Sequence, residues 1–98
     1  MTFELRFTDE ADSQLSAMEA DKELRKRLKA FQKALGYMET NLKHTSLNTH
    51  KFSSLIGPNG EEIFESYAEN RTAAAYRIFW FYGLGKKVIT VIAITPHP

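Results

Sequence analysis

Apolar and polar positions alternate at the start of the chain. Phe3, Leu5 and Phe7 fall on one side of FELRF, and Glu4 and Arg6 on the other, the period of two that a strand with one buried face requires. Thr8 follows, a residue whose hydroxyl caps helices, and then Asp9 and Glu10, acidic side chains that suit the positive end of a helix dipole. This predicts a helix from there to about Ala20. Asp21 offers a second cap. Beyond it Leu24, Leu28, Phe31, Leu35, Met38 and Leu42 recur at alternating spacings of four and three, a single apolar stripe that predicts a second helix. Gly36 lies inside the stripe and costs a helix about 1 kcal/mol relative to Ala, which places a competing end near Leu35. The stripe running past it favours the longer helix.

The period then lapses. KHTSLNTHKFSSLIGPNGEE has no sustained pattern, and its Gly57-Pro58-Asn59-Gly60 is dense turn chemistry, so this segment reads as a loop with one short extended piece. Strand-like runs return in EIFESYAE, in TAAAYRIFWFY and, after Gly83-Leu84-Gly85, in KKVITVIAIT. A two-residue turn at Leu84-Gly85 and a three-residue turn that includes Gly83 predict opposite faces for that last strand. The order β-α-α-β-β-β describes an α+β fold: an N-terminal strand, then a two-helix hairpin packed on one face of a small, mainly antiparallel sheet. A chain of 98 residues buries one modest core, so residues 1–98 are expected to form one domain.

Composition narrows the function. With 43% hydrophobic and 26% charged residues the chain matches ordinary globular proteins, and its net charge of +1 neither demands nor forbids a nucleic-acid partner. The charge is segregated: Asp9, Glu10, Asp12, Glu19 and Asp21 precede Lys22, Arg25, Lys26, Arg27, Lys29 and Lys33. That basic run is read first as the wet face of an amphipathic helix and second as a track for RNA phosphates. The absence of cysteine excludes disulfides and thiolate chemistry and fits a reducing, cytoplasmic setting. No secretory pattern opens the chain and no stretch is long enough to span a bilayer, so no membrane partner is expected. His44, His50 and His97 do not form ligand spacing on any one element, so neither a metal nor another cofactor is expected.

One residue interrupts the penultimate strand. In Ala75 to Tyr82, Tyr76, Ile78, Trp80 and Tyr82 point one way, and Ala75, Arg77, Phe79 and Phe81 the other. Both faces are otherwise apolar, so the Arg77 guanidinium is partly desolvated and needs a partner. Two readings stand: an ion pair with Glu65 or Glu69 of the neighbouring strand, or an open sheet face on which Arg77 waits for an anion such as a phosphate. Tyr76, Trp80 and Tyr82 are read as core against the helices.

These elements, taken in order, resemble the RelE/ParE toxin superfamily over nearly the whole chain. The resemblance rests on the strand, the helical hairpin, the HKF element, IFESY, AYRIFWFY, a tight turn, VITVIAIT and the late His97, and its most specific part is Tyr76-Arg77 leading the penultimate strand. It implies the toxin of a type II toxin–antitoxin system. In the ribonuclease branches such a protein cuts messenger RNA on the ribosome without a metal; in the ParE branch it inhibits DNA gyrase, and a diverged, inactive member would act only as a protein-binding module. Carried over by position, the resemblance gives Arg77 the scissile phosphate and lets Lys51 share it. His97 is implied as a proton-transfer residue, against the plainer reading of a frayed tail between two prolines, and Glu65 as a base, unless it merely partners Arg77. His50, Arg71, Lys86 and Lys87 are the implied RNA contacts. Tyr67 stands where the family's strand element ends in arginine. The implied partners are an antitoxin, ribosome-bound messenger RNA or gyrase, and a second copy of the chain in a homodimer.

Overall fold

The computed structural model describes residues 2–69 and 75–96. The elements are β1 (Glu4–Phe7), α1 (Asp9–Ala20), a 3-10 turn (Lys22–Leu24), α2 (Arg25–Thr40), a second 3-10 turn (Thr45–Leu47), β2 (His50–Ile56), β3 (Glu62–Tyr67), β4 (Tyr76–Tyr82) and β5 (Val88–Pro96). One sheet contains all five strands in the order β1-β5-β4-β3-β2. The β1–β5 pair is parallel and the others are antiparallel. The α+β architecture is therefore as the sequence implies, with one strand more. That strand, β2, forms the outer edge and leaves all its side chains exposed except a half-buried Phe52, which is why no apolar alternation announces it.

Local chemistry explains the helix boundaries. The Thr8 hydroxyl accepts from the Ala11 N–H at 3.2 Å and donates to the Ile92 carbonyl at 3.1 Å, so one side chain caps α1 and ties it to β5. The Asp21 carboxylate accepts from the Glu23 N–H at 2.9 Å and opens the turn into α2. That helix continues through Gly36 and ends at Thr40, whose hydroxyl donates to the Gly36 carbonyl at 2.7 Å.

The apolar stripe packs as its spacing requires. Phe31, Ala34 and Met38 of α2 and Ala11 and Met18 of α1 are buried against Ile78 and Trp80 of β4 and Ile89, Val91 and Ile94 of β5, while Leu24, Leu28, Leu35 and Leu42 lie at the margin. Within this core the Trp80 indole donates to the Ser66 hydroxyl at 2.9 Å, and Ser66 and Thr49 share a further bond of 2.7 Å. Tyr76 joins the core edge, but Tyr82 differs from expectation: as the last residue of β4 it lies beyond the helices, is 50% exposed and rests beside Phe3.

The turn before β5 also differs. It holds five residues, Gly83 to Lys87, closed by the Gly83 N–H donating to the Val88 carbonyl at 2.8 Å, and Gly83 (φ 114°) and Gly85 (φ 107°) adopt backbone angles that favour glycine. Lys86 and Lys87 thus sit in this loop and not in the strand. A bulge at Ile92, between the pairs Phe79↔Ala93 and Trp80↔Val91, then resets which residues face the helices. β1 reaches only as far as Val91 along β5, and past that point α1 supplies the missing partners: Thr8 takes the Ile92 carbonyl and the Gln14 side-chain oxygen takes the Ile94 N–H at 2.6 Å. Beyond the bulge Thr95 pairs with Arg77. Among the described residues, no helix is long and apolar enough to cross a membrane.

Candidate functional site

The sheet face turned away from both helices gathers polar groups from three adjacent strands. Register does this work. His50 of β2 lies directly opposite Glu65 of β3, and Tyr67 of β3 lies directly opposite Arg77 of β4. Side chains two apart on a strand share a face, so His50, Glu65, Tyr67 and Arg77 converge.

Glu65 is the hub. Its Oε1 lies 2.7 Å from His50 Nε2, and its Oε2 lies 3.8 Å from Arg77 Nε. The second distance brings opposite charges together without a hydrogen bond. Arg77 Nε is buried and has no hydrogen-bond partner among the described residues. The guanidinium carbon instead sits 3.6 Å from the centroid of the Tyr67 ring, and that ring meets the His50 imidazole edge-on at 5.8 Å. The side chains of Glu65 and Arg77 are only 9% and 12% exposed, whereas that of His50 is 44% exposed and forms the open side of the group. Beyond it, Phe52 and Phe79 stack edge to face at 4.9 Å and extend an apolar floor along the same face.

Backbone geometry orients the histidine. Asn48 adopts the left-handed conformation (φ 47°), one of the few residue types that does so readily, and its carbonyl lies 2.9 Å from His50 Nδ1. Of the two carboxylates weighed for Arg77, Glu65 is the one that faces it; Glu69 is engaged by Arg27 of α2 at 3.5 Å.

The other sequence candidates are placed elsewhere. Lys51 follows His50 and therefore points to the opposite side of β2, where its ammonium lies 3.1 Å from Glu62 in an exposed pair. It is not brought together with Arg77 in this structure. Lys86 and Lys87 lie past the far end of β4, at least about 17 Å from Arg77 at ~3.3 Å per strand residue. Arg71 and His97 fall outside the described residues. Tyr67 and Asn48 are the site members that sequence reasoning passed over. An aromatic directly across from an arginine is a recognisable cross-strand pair, but only once the register of β3 on β4 is known. Among the described residues, no three His, Asp or Glu side chains are grouped to hold a metal ion.

Chemically the arrangement offers a carboxylate set between a permanent cation and a titratable ring. One oxygen is bound to histidine and the other is turned toward arginine. Such a group can hold an anion beside a proton acceptor.

No protein-family model matches the sequence, and no curated protein matches it. Solved structures do. A chain of the crystal structure of the archaeal RelE–RelB complex from Pyrococcus horikoshii OT3 matches with a TM-score of 0.64 at 15% identity, over 98% of this chain and 96% of that one. The YoeB dimer from Staphylococcus aureus matches with a TM-score of 0.63 at 11% identity, over the full length of both chains. At these identities the likeness is one of architecture: this chain has the RelE/YoeB fold.

Proposed function

We propose that this chain is the toxin of a type II toxin–antitoxin pair and that it cuts messenger RNA on the ribosome without a metal. The observation that carries the reading is Arg77 Nε, buried without a hydrogen-bond partner among the described residues, beside a carboxylate that is itself bound to histidine, on the sheet face the helices leave open. The fold shared with RelE and YoeB supports it. An unsatisfied guanidinium N–H is a donor in search of an acceptor, and the planar fork of arginine matches two oxygens of a phosphate.

In this mechanism Arg77 holds the scissile phosphate. The RNA 2′-hydroxyl gives its proton to Glu65, the O2′–P bond forms and the P–O5′ bond breaks. His97 donates a proton to the departing 5′-oxygen, leaving a 2′,3′-cyclic phosphate and a free 5′-hydroxyl. Lys51, Arg71, Lys86, Lys87 and the basic run of α2 contact RNA phosphates outside the reacting centre. RelE is found in complex with RelB, and an antitoxin segment is the partner proposed here. A homodimer follows the YoeB example. The cytoplasm is the compartment in which both partners would be met.

The test is cleavage of a translated messenger RNA by the purified protein beside Arg77→Ala, with the product ends identified. Cuts ending in cyclic phosphate, lost in the variant, support the reading; intact message sinks it. A second reading has one observation in its favour, the 12% exposure of Arg77 beneath Tyr67. A guanidinium so covered suits a protein that binds without catalysis, either inhibiting gyrase in the ParE manner or serving as a diverged protein-binding module. Growth arrest without message cleavage would select it.

A further inference from the structure

Both ring nitrogens of His50 are occupied, and their partners determine where its protons lie. The Asn48 carbonyl, 2.9 Å from Nδ1, can only accept, so Nδ1 carries a hydrogen. Nε2 lies 2.7 Å from Glu65 Oε1, a separation that needs one proton between the two atoms, held as imidazolium with carboxylate or as neutral imidazole with carboxylic acid. Neither nitrogen is left to face a substrate. The carboxylate oxygen not bound to the ring is Oε2, and it is turned toward the Arg77 guanidinium.

We infer that His50 is a positioning residue, which fixes Glu65 through Oε1 and shares its proton, so that Oε2 becomes the atom that takes the proton of the RNA 2′-hydroxyl. This inference rests on the RNA-cleavage reading given above. It gives each oxygen of a side chain only 9% exposed a polar neighbour, His50 on one and Arg77 on the other. Charged and titratable groups around the ring are few among the described residues. Strand β3 contributes Glu65 and Tyr67, β4 contributes Arg77 beyond Glu65, and Lys51 on the ring's own strand turns away to Glu62. The His50 side chain is 44% exposed, so the outer side of the pair borders solvent.

The experiment compares wild type, His50→Gln, His50→Ala and Arg77→Ala on a translated message across a range of pH, together with imidazole 15N NMR of the wild type and Glu65→Gln. A glutamine keeps an N–H donor for Oε1 but never carries the ring's charge. His50→Gln is therefore expected to retain KM and most of kcat at its optimum while its pH–rate profile departs from that of the wild type, since glutamine cannot share a proton with Oε1. His50→Ala should lose roughly 100-fold in kcat at unchanged KM. In the NMR spectra the neutral ring should carry its hydrogen on Nδ1, and the Nε2 signal should shift in Glu65→Gln. Cleavage by wild type but not by Arg77→Ala, with both His50 variants at the wild-type rate and pH profile, overturns this inference alone. A neutral ring protonated on Nε2 also overturns it. Absence of cleavage by the wild type overturns the ribonuclease reading and this role with it, and the spectra then still decide whether the pair holds a shared proton.

Discussion

The guanidinium carbon of Arg77 lies 3.6 Å from the centroid of the Tyr67 ring, and the two residues are directly opposite on β4 and β3. A cation held this close over an aromatic face and largely removed from water contributes about 1–2 kcal/mol. Tyr67→Leu should lower the unfolding free energy by about that amount. Tyr67→Phe keeps the ring and should lose less than half of it. Urea denaturation of the three proteins measures the difference, and equal midpoints for wild type and Tyr67→Leu would show that the stack contributes nothing.

Arg77→Lys separates charge from shape. Lysine brings the same charge as a point on a flexible stem, so it neither lies flat on Tyr67 nor presents a fork to phosphate. If Arg77 clamps the scissile phosphate, message cleavage should fall by roughly 100-fold or more in this variant, a loss of the size seen when a fixed donor to transition-state charge is removed. Cleavage at the wild-type rate would assign Arg77 a purely structural place beside Glu65.

Ser66 links the strand core to the loop that leads into β2. The Trp80 indole can only donate, so the Ser66 oxygen accepts from it, and the Ser66 and Thr49 hydroxyls share the second bond. Ser66→Ala leaves a fully buried indole N–H without a partner and should cost about 1–3 kcal/mol. Thr49→Val removes the outer bond while the indole keeps its acceptor, so its cost should be smaller. Thermal unfolding followed by the fluorescence of Trp80, the chain's one tryptophan, reports both.

Period and capping carried the helices. The stripe from Leu24 to Leu42 and the oxygens of Thr8 and Asp21 fix both helix starts and the buried side of α2, because such signals act over a few neighbouring residues. The opposition of Arg77 to the helix-facing Ile78 and Trp80 was equally legible from alternation. β2 was not, since an edge strand with little burial has no reason to alternate. The site was half legible for a related reason. Glu65 and Arg77 stand out as charges in apolar strands, whereas the parts of His50, Tyr67 and Asn48 depend on register and on one left-handed residue, which turns and tertiary packing set. The faces assigned to β5 likewise depend on the bulge at Ile92 and on a five-residue turn, neither of which leaves a local signal.

Gly36 sits inside α2 with open space around it: a Cβ built there would meet nothing within 4 Å. The glycine therefore serves no close approach, and its backbone freedom in the unfolded chain is a net loss. Gly36→Ala should stabilise the protein by about 0.5–1 kcal/mol. Helix content by circular dichroism and the denaturation midpoint should rise together. A lower midpoint would mean that the added methyl meets a neighbour and that the space around Gly36 is not open.

The turn between β2 and β3 is held by an exposed carboxylate, and this gives the stability curve a pH signature. Glu61 Oε1 accepts from the Asn59 N–H at 2.7 Å, while the Glu61 carbonyl accepts from the Gly57 N–H at 2.9 Å. The backbone N–H groups of Asn59 and of Glu61 itself hold this carboxyl below its ordinary value of 4.5. A group depressed in the folded state stabilises it above the unfolded value and loses that contribution as pH falls through the folded one. The difference in stability between wild type and Glu61→Gln should thus be constant near neutrality and shrink as pH drops below 4.5. Gly57→Ala attacks the same contact from the other side. A Cβ at Gly57 would lie 2.5 Å from Glu61 Oε1 and 2.9 Å from its Cβ, so the carboxylate must leave the turn. Gly57→Ala and Glu61→Gln should accordingly be less than additive when combined, because each removes what the other would lose. Additive costs in the double variant would show that the turn is held together by its backbone bonds alone.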